Sequence, residues 1–356
     1  MSDRGHATGC EPRGARALLG PARGLTRRGR FALASAVLAL ALAAGLAAPA
    51  SGQPSHADSF PNRPVRIIVP FTTGGPTDFL ARLIAHKLGE LWSQPVLVDN
   101  KPGGGANIGT DAVAKAAADG YTIGIVSSAY AINPSLYSKL PFDTLRDLAG
   151  VTQIVSSTMV LVAHPSVPTN SVNELIALAR SKPRALTYGS VGTGSGTHLA
   201  GEMFKSATGT DLLHVPYKGT SQVQVDLLAG RVALMFGHLS SVLQHLRAGK
   251  LKALAVLDSH RDPAAPDVPA MTESVPGVEA SGMFGIVTAA GVPRERVRKL
   301  NADIVKVLNI PEVKEKIGGM GGETLVGSTP EEFDLYLRSE VKKWAKIVKD
   351  SGATAD

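Results

Sequence analysis

The chain has 356 residues, 44% hydrophobic and 19% charged, enough apolar material for a sizeable core in more than one domain. It carries 37 basic and 30 acidic residues, a formal net charge of +7. The first 57 residues hold seven Arg against Asp3 and Glu11, so the remainder has 30 basic and 28 acidic residues, which excludes a strongly basic surface built for nucleic acid.

The amino end reads as a secretory signal. Arg4, Arg13, Arg16, Arg23, Arg27, Arg28 and Arg30 precede an uncharged run from Ala32 to Ala48. Small residues follow at Ala48-Pro49-Ala50 and Ser55-His56-Ala57, so residues 1–57 are expected to be removed on export. A membrane anchor is the competing reading, but the run of 17 residues is at the short edge of a span and its flanks fit a signal better. Thr26-Arg27-Arg28 points toward twin-arginine export, while Phe31 sits one place late for it, so that route and the general secretory route both stand. Cys10, the one cysteine, lies before the apolar run, whereas a lipoprotein cysteine follows it. The exported chain is therefore expected to have no thiol, disulfide or lipid anchor.

Strand-like and helix-like stretches then alternate. Val65 to Pro70 is short, β-branched and apolar, as a buried parallel strand should be. Asp78 to Trp92 repeats apolar residues at helical spacing, Pro95 to Val98 is a second strand, Ala106 to Ala118 a second helix and Gly120 to Val126 a third strand. This βαβαβ order marks a doubly wound layer. After an extended segment from Leu148 to His164 the pattern restarts. Ser171 caps a helix to Ser181 with Glu174 in capping-box position. Strands at Leu186–Ser190, Leu213–Pro216, Val232–Phe236 and Ala253–Leu257 alternate with helices at His198–Thr208 and Ser221–Ala229. Phe284 to Thr288 returns as a strand toward the first unit, and Arg294–Leu308, Pro311–Ile317 and Pro330–Asp350 are helical. The fold expected is α/β, with two doubly wound lobes and a two-segment hinge: residues 58–160 plus 284–356 form lobe 1, and 161–283 lobe 2.

Three strand-to-helix turns share a composition: Pro70 to Asp78, Asn100 to Gly109 and Gly189 to His198. Each combines glycines with hydroxyls or an amide before a helix. Glycine lets backbone approach a ligand, and free N–H groups at a helix start receive anions. In open α/β sheets such turns converge at the carboxyl ends of strands, so three of them can line one cleft.

Rival chemistries fit less well. The second turn lacks a Lys between Gly109 and Thr110, so it is not a P-loop, and the third has Thr197 where a dinucleotide fingerprint needs glycine. Ser195 with His198 could suggest a serine hydrolase, but Ser195 is flanked by Thr193 and Thr197 rather than by the glycines of G-x-S-x-G. His238 and His245 have no acidic partners placed for metal ligation and read as surface or core histidines. No metal or cofactor is expected.

The chain resembles the Bug receptors, the extracytoplasmic solute-binding components of tripartite tricarboxylate transporters. The likeness runs from about Phe60 to the end. Pro70-Phe71 with Gly74 to Asp78 and Pro102 to Gly109 carry it, together with Ile132 to Tyr137, Thr187 to Ser190 and Gly196 to Leu199. His214 to Gly219, Arg247 to Leu251 and Asp267-Val268-Pro269 add to these.

The resemblance implies a periplasmic binding protein, type II-like, monomeric, that closes on a small organic acid or acidic amino acid and delivers it to a membrane permease. A sensor kinase as recipient is the alternative, and a periplasmic serine hydrolase the remote one. One ligand carboxylate would be met by Phe71, Thr72, Thr73, Gly74 and Gly75, with Thr77 and Asp78 beside them, and by Gly104, Gly105, Ala106 and Asn107. The far end would meet Ser190, Thr193, Gly194, Ser195, Thr197 and His198. Ser128, Tyr130 and Tyr217 would complete the lining. Lys218 could counter the ligand's charge or stand as a solvated turn residue, and the second reading is favoured slightly because backbone N–H groups already supply anion contacts. An aspartate is usual in the family at Gly237, and an aromatic at Met283. Both departures bear on which acid is bound.

Overall fold

The structure is a computed structural model and describes residues 60–355. The signal and Cys10 lie outside the described residues.

Two sheets share one long strand. The first contains β1 (Val65–Val69), β2 (Val96–Asn100), β3 (Thr122–Ser127), β9 (Ser281–Ala289) and the first part of β4 (Leu148–Ala163), in the order β2-β1-β3-β9-β4. β2, β1 and β3 are parallel, and β9 runs antiparallel to both β3 and β4. The second contains β5 (Thr187–Ser190), β6 (Leu213–Pro216), β7 (Leu234–His238), β8 (Lys252–Val256) and the last part of β4. β4 changes neighbours in mid-strand: Thr158 still pairs with β9, while Met159 already pairs with β7. A short β10 (Glu323–Leu325) joins β4 at Val155 to Ser157, beside the switch.

The helices follow the hydrophobic spacing. α1 (Pro76–Trp92) buries Leu80, Ile84 and Leu88 against β1 residues Val65, Ile67 and Val69. α2 (Asn107–Ala114) ends earlier than the sequence implies, at the turn before Gly120. α3 (Ala129–Leu136) was not evident in the sequence, having eight residues and an internal Pro134. α4 (Val172–Ser181) is capped by Ser171, whose Oγ accepts from Glu174 N at 3.2 Å. The reciprocal bond differs from the expected box: Glu174 accepts from Asn170 N, one residue earlier. α5 (Gly196–Thr208), α6 (Thr220–Leu228) and α7 (Leu239–Arg247) each follow a strand of the second sheet.

The carboxyl end holds α8 (Arg294–Leu308), α9 (Pro311–Met320) and α10 (Pro330–Ser351). α10 does not stay with the first sheet alone. Phe333 and Leu337 pack with Ile68, Val113 and Val287 of the first unit. Two to three turns on, Trp344 and Val348 join a cluster with Leu199 and Phe204 of the second. An amphipathic helix of 22 residues is long enough to serve both cores.

Candidate functional site

Five helices begin around one cavity. Pro76 and Thr77 are the first residues of α1, and Ser127 and Ser128 immediately precede α3. Ser195, Gly196 and Thr197 are the cap and first residues of α5. Thr220 opens α6, and His238 is the cap of α7. Phe71, Val191 and Phe284 supply the apolar wall of the cavity. First-turn N–H groups have no intrahelical acceptor and carry the positive end of the helix dipole. No Lys, Arg, Asp or Glu lines the cavity among the described residues. Donors are thus supplied by backbone and hydroxyls.

The strand-to-helix order places them there. β1, β3, β5 and β7 each end at the cavity, and the helix that follows starts there. Local bonds fix the loops. Ser195 Oγ donates to Gly192 O at 2.6 Å and accepts from His198 N, while Thr197 Oγ1 accepts from Val191 N at 3.0 Å. Gly192 and Gly194 have φ of +128° and +85°, a region that favours glycine.

A second, outer space lies between the second and third glycine turns. Gly104, Gly105, Ala106, Thr193 and Tyr217 line it, and Phe71 and Val191 face both spaces. Loops from the two sheets touch here. Tyr137 Oη donates to Thr193 O at 3.1 Å, Ser221 Oγ to Thr73 O at 3.1 Å, and Thr72 N approaches Lys218 O at 3.4 Å. Gly219 sits where a Cβ would be 1.9 Å from Thr72 Oγ1. The cleft is closed in this structure.

Of the residues expected from sequence, Phe71, Thr77, Ser128, Ser195 and Thr197 line the inner cavity. Gly104, Gly105, Ala106, Thr193 and Tyr217 line the outer one. The others stand behind them. Burial alone would raise the pKa of Asp78, but bonds from Arg82, Asn100 and Gly74 N outweigh it and leave the carboxyl below its ordinary range. Asp78 thereby fixes the turn that contains Gly74 and Gly75. Thr72 and Thr73 contact the α6 loop instead. Asn107 Oδ1 accepts from Asn133 Nδ2 at 2.7 Å. Tyr130 lines neither cavity: its hydroxyl donates to Thr144 O at 2.7 Å and its ring sits among Phe142, Leu148 and Phe333. Two residues past Ser128 on a helix is about 200° of rotation, which carries the side chain to the opposite face.

Ser190, Gly194 and His198 form a support for the third turn. Ser190 Oγ lies 2.6 Å from His214 Nε2, and His198 stacks on His214 with ring centroids 4.2 Å apart. His198 Nδ1 accepts from Gly194 N at 3.3 Å. Burial pushes the pKa of His198 down to about 4 and that of His214 to about 3. Ser195 gives its hydrogen to the Gly192 carbonyl, so it is not paired with His198 as a nucleophile with its base.

His238 is a correction. Read from sequence as a surface or core histidine, it lines the inner cavity. Thr220, Val191 and Phe284 were likewise not singled out. The signal for His238 and Thr220 was available, since both stand at the start of a helix that follows a strand of the second sheet.

Residues 80–353 match the family described as Tripartite tricarboxylate transporter family receptor. Protein BugT of Bordetella pertussis is 38% identical over 313 residues, which are 87% of this chain and 94% of BugT. The solved structure of R. palustris Rpa4515 with adipate aligns with a TM-score of 0.79 at 36% identity, covering 83% of this chain and 99% of that one. MatC from Rhodopseudomonas palustris with bound malate aligns with a TM-score of 0.78 at 28% identity, covering 81% and 100%.

Proposed function

The chain belongs to the tripartite tricarboxylate transporter receptor family, and on that premise we propose that it is a periplasmic receptor that closes on a small carboxylate and passes it to membrane permease subunits. The observation that carries this reading is the convergence of five helix starts on a cavity without ionised side chains. Such a site suits an anion whose charge is met by backbone N–H groups and helix dipoles rather than by a counter-ion. Relatives solved with adipate and malate support the ligand class.

Closure follows from the chain path. Lobe 1 comprises roughly the segments before 160 and after 281, and lobe 2 the segment between. Bending where β4 changes sheets, together with the entry to β9, opens the cleft and parts the Tyr137–Thr193 and Ser221–Thr73 contacts. Ligand binding to the closed form then stabilises a shape that the permease can distinguish.

The test is a thermal-shift screen of the exported chain with mono-, di- and tricarboxylates and acidic amino acids. An acid at 100 times its dissociation constant adds about 2.7 kcal/mol to stability. A panel in which no acid shifts the transition would overturn the reading. Uptake of the matched acid by cells, lost when the receptor is deleted and restored by its return, tests the delivery step.

A further inference from the structure

Three strands bring three side chains into line beside the inner cavity. His238 ends β7, Ser157 lies at the sheet switch of β4, and Glu323 opens β10. Ser157 Oγ is 2.9 Å from His238 Nδ1 and donates to Glu323 Oε1 at 2.8 Å. Ser240 Oγ donates to the same carboxyl oxygen at 2.6 Å. Phe284 packs on the His238 ring at 4.9 Å, and a Cβ on Gly282 would come within 2.3 Å of it, so the ring is held in place.

Counting hydrogens decides the polarity of this relay. A hydroxyl has one hydrogen. Ser157 gives it to Glu323, so toward His238 it offers only a lone pair. Nδ1 must therefore carry the ring hydrogen. Burial pushes the pKa of His238 down to about 4, so the ring is neutral and Nε2 is bare. Nε2 has no hydrogen-bond partner among the described residues, and the ring lines the cavity. Burial raises Glu323 to about 7, with Asp262 adding to the rise and the Ser240 and Ser157 bonds opposing it. As a carboxylate, Glu323 accepts from both serines at Oε1, and its Oε2 is buried with no hydrogen-bond partner among the described residues.

We propose that His238 sets the specificity of the cavity: Ser157 and Glu323 hold it as the Nδ1–H tautomer, and its bare Nε2 selects carboxylates that also carry a hydroxyl or amino donor. This rests on the carboxylate reading above and narrows it. An acid without a donor leaves a buried acceptor unpaired, which a site penalises more heavily than a missing contact on its surface. The donors of the helix starts meet the carboxylate; His238 is the one lining side chain that, in this tautomer, can only accept.

The test compares succinate, malate and aspartate by calorimetry on the exported chain, with 15N shifts of the His238 side chain read in parallel. Malate or aspartate is expected to bind at least about tenfold more tightly than succinate. The shifts are expected to show Nδ1 protonated. His238→Phe loses the preference for malate or aspartate over succinate. Glu323→Gln keeps an acceptor at Oε1 and preserves both tautomer and preference. Glu323→Met frees the Ser157 hydrogen for Nδ1, moves the ring hydrogen to Nε2 and turns the preference toward succinate. Protonated Nε2 in the unmodified protein, or succinate bound as tightly as both other acids, overturns the inference and leaves the carboxylate reading intact. No binding by any acid of the wider panel overturns both.

Discussion

Gly105 lies against Thr193 so closely that a Cβ on Gly105 would stand 2.0 Å from the Thr193 carbonyl oxygen. The two residues belong to glycine turns on opposite sides of the cleft. Gly105 also has φ of +59°, where a side chain adds backbone strain. Gly105→Ala is therefore expected to block closure rather than folding, because the obstructed contact joins the lobes and not a core. Affinity for the matched acid should fall by about a hundredfold or more, roughly 3 kcal/mol. The midpoint of unfolding without ligand should change little. Calorimetry and a ligand-free melt check both, and an unchanged affinity would show that the turns part again in the bound form.

Tyr137 provides a gentler probe of the same contact. Its hydroxyl donates to the Thr193 carbonyl at 3.1 Å across the cleft. Tyr137→Phe keeps the ring and removes one hydrogen bond, worth about 0.5–1.5 kcal/mol. Affinity should drop about two- to tenfold, and the change should appear in the ligand's dissociation rate, since the bond forms only on closure. Stopped-flow release kinetics give the answer. A loss confined to the association rate would count against a latch.

The glycine turns were legible because their composition states their use: positive φ and close approach need glycine, and helix starts need hydroxyls. The two-sheet path was legible from a second run of strand-helix alternation after Leu148–Ala163. What could not be read was which turn residues face the cavity. Ser128 and Tyr130 are two places apart, yet one lines the cavity and the other bonds to Thr144 in a core. Asp78 and His198 carry chemistry suited to a ligand, but their partners, Arg82 and Gly194 on neighbouring turns and Asn100 and His214 farther along the chain, turn them into supports. His238 escaped notice for the converse reason. Its role depends on Ser157 and Glu323, which lie 81 and 166 residues apart in the pairings they make.

His198 and His214 should govern stability in mild acid. Burial is the main cause for both. Glu202 opposes the lowering at His198, while Lys205 adds to it at both rings and His198 adds to it at His214. With folded pKa values of about 4 and 3 against 6.5 when exposed, the native state binds fewer protons than the unfolded chain between those limits. Stability should therefore fall as pH drops below about 6.5, with His198 alone accounting for roughly 3 kcal/mol by the time the pH reaches 4. Urea titrations at pH 7, 6 and 5 measure the slope. His214→Gln should flatten it, and a slope unaltered by that change would mean that the ring is protonated in the native state.

Glu323 should act with the opposite sign. Its folded pKa, about 7 against an ordinary 4.5, means that the native state holds the proton more tightly than the unfolded chain does. Its contribution to stability is complete below pH 4.5 and is lost as pH rises through 7. In alkaline solution a carboxylate must then occupy a site where one oxygen is buried with no partner among the described residues. Glu323→Gln removes that charge and keeps the acceptor for Ser157 and Ser240. The variant should gain stability relative to the unmodified protein between pH 7 and 8.5, while at pH 5 the two should unfold close together. Paired denaturant midpoints at the two pH values decide it. Equal differences at both would show that Glu323 is ionised throughout, with its free oxygen solvated.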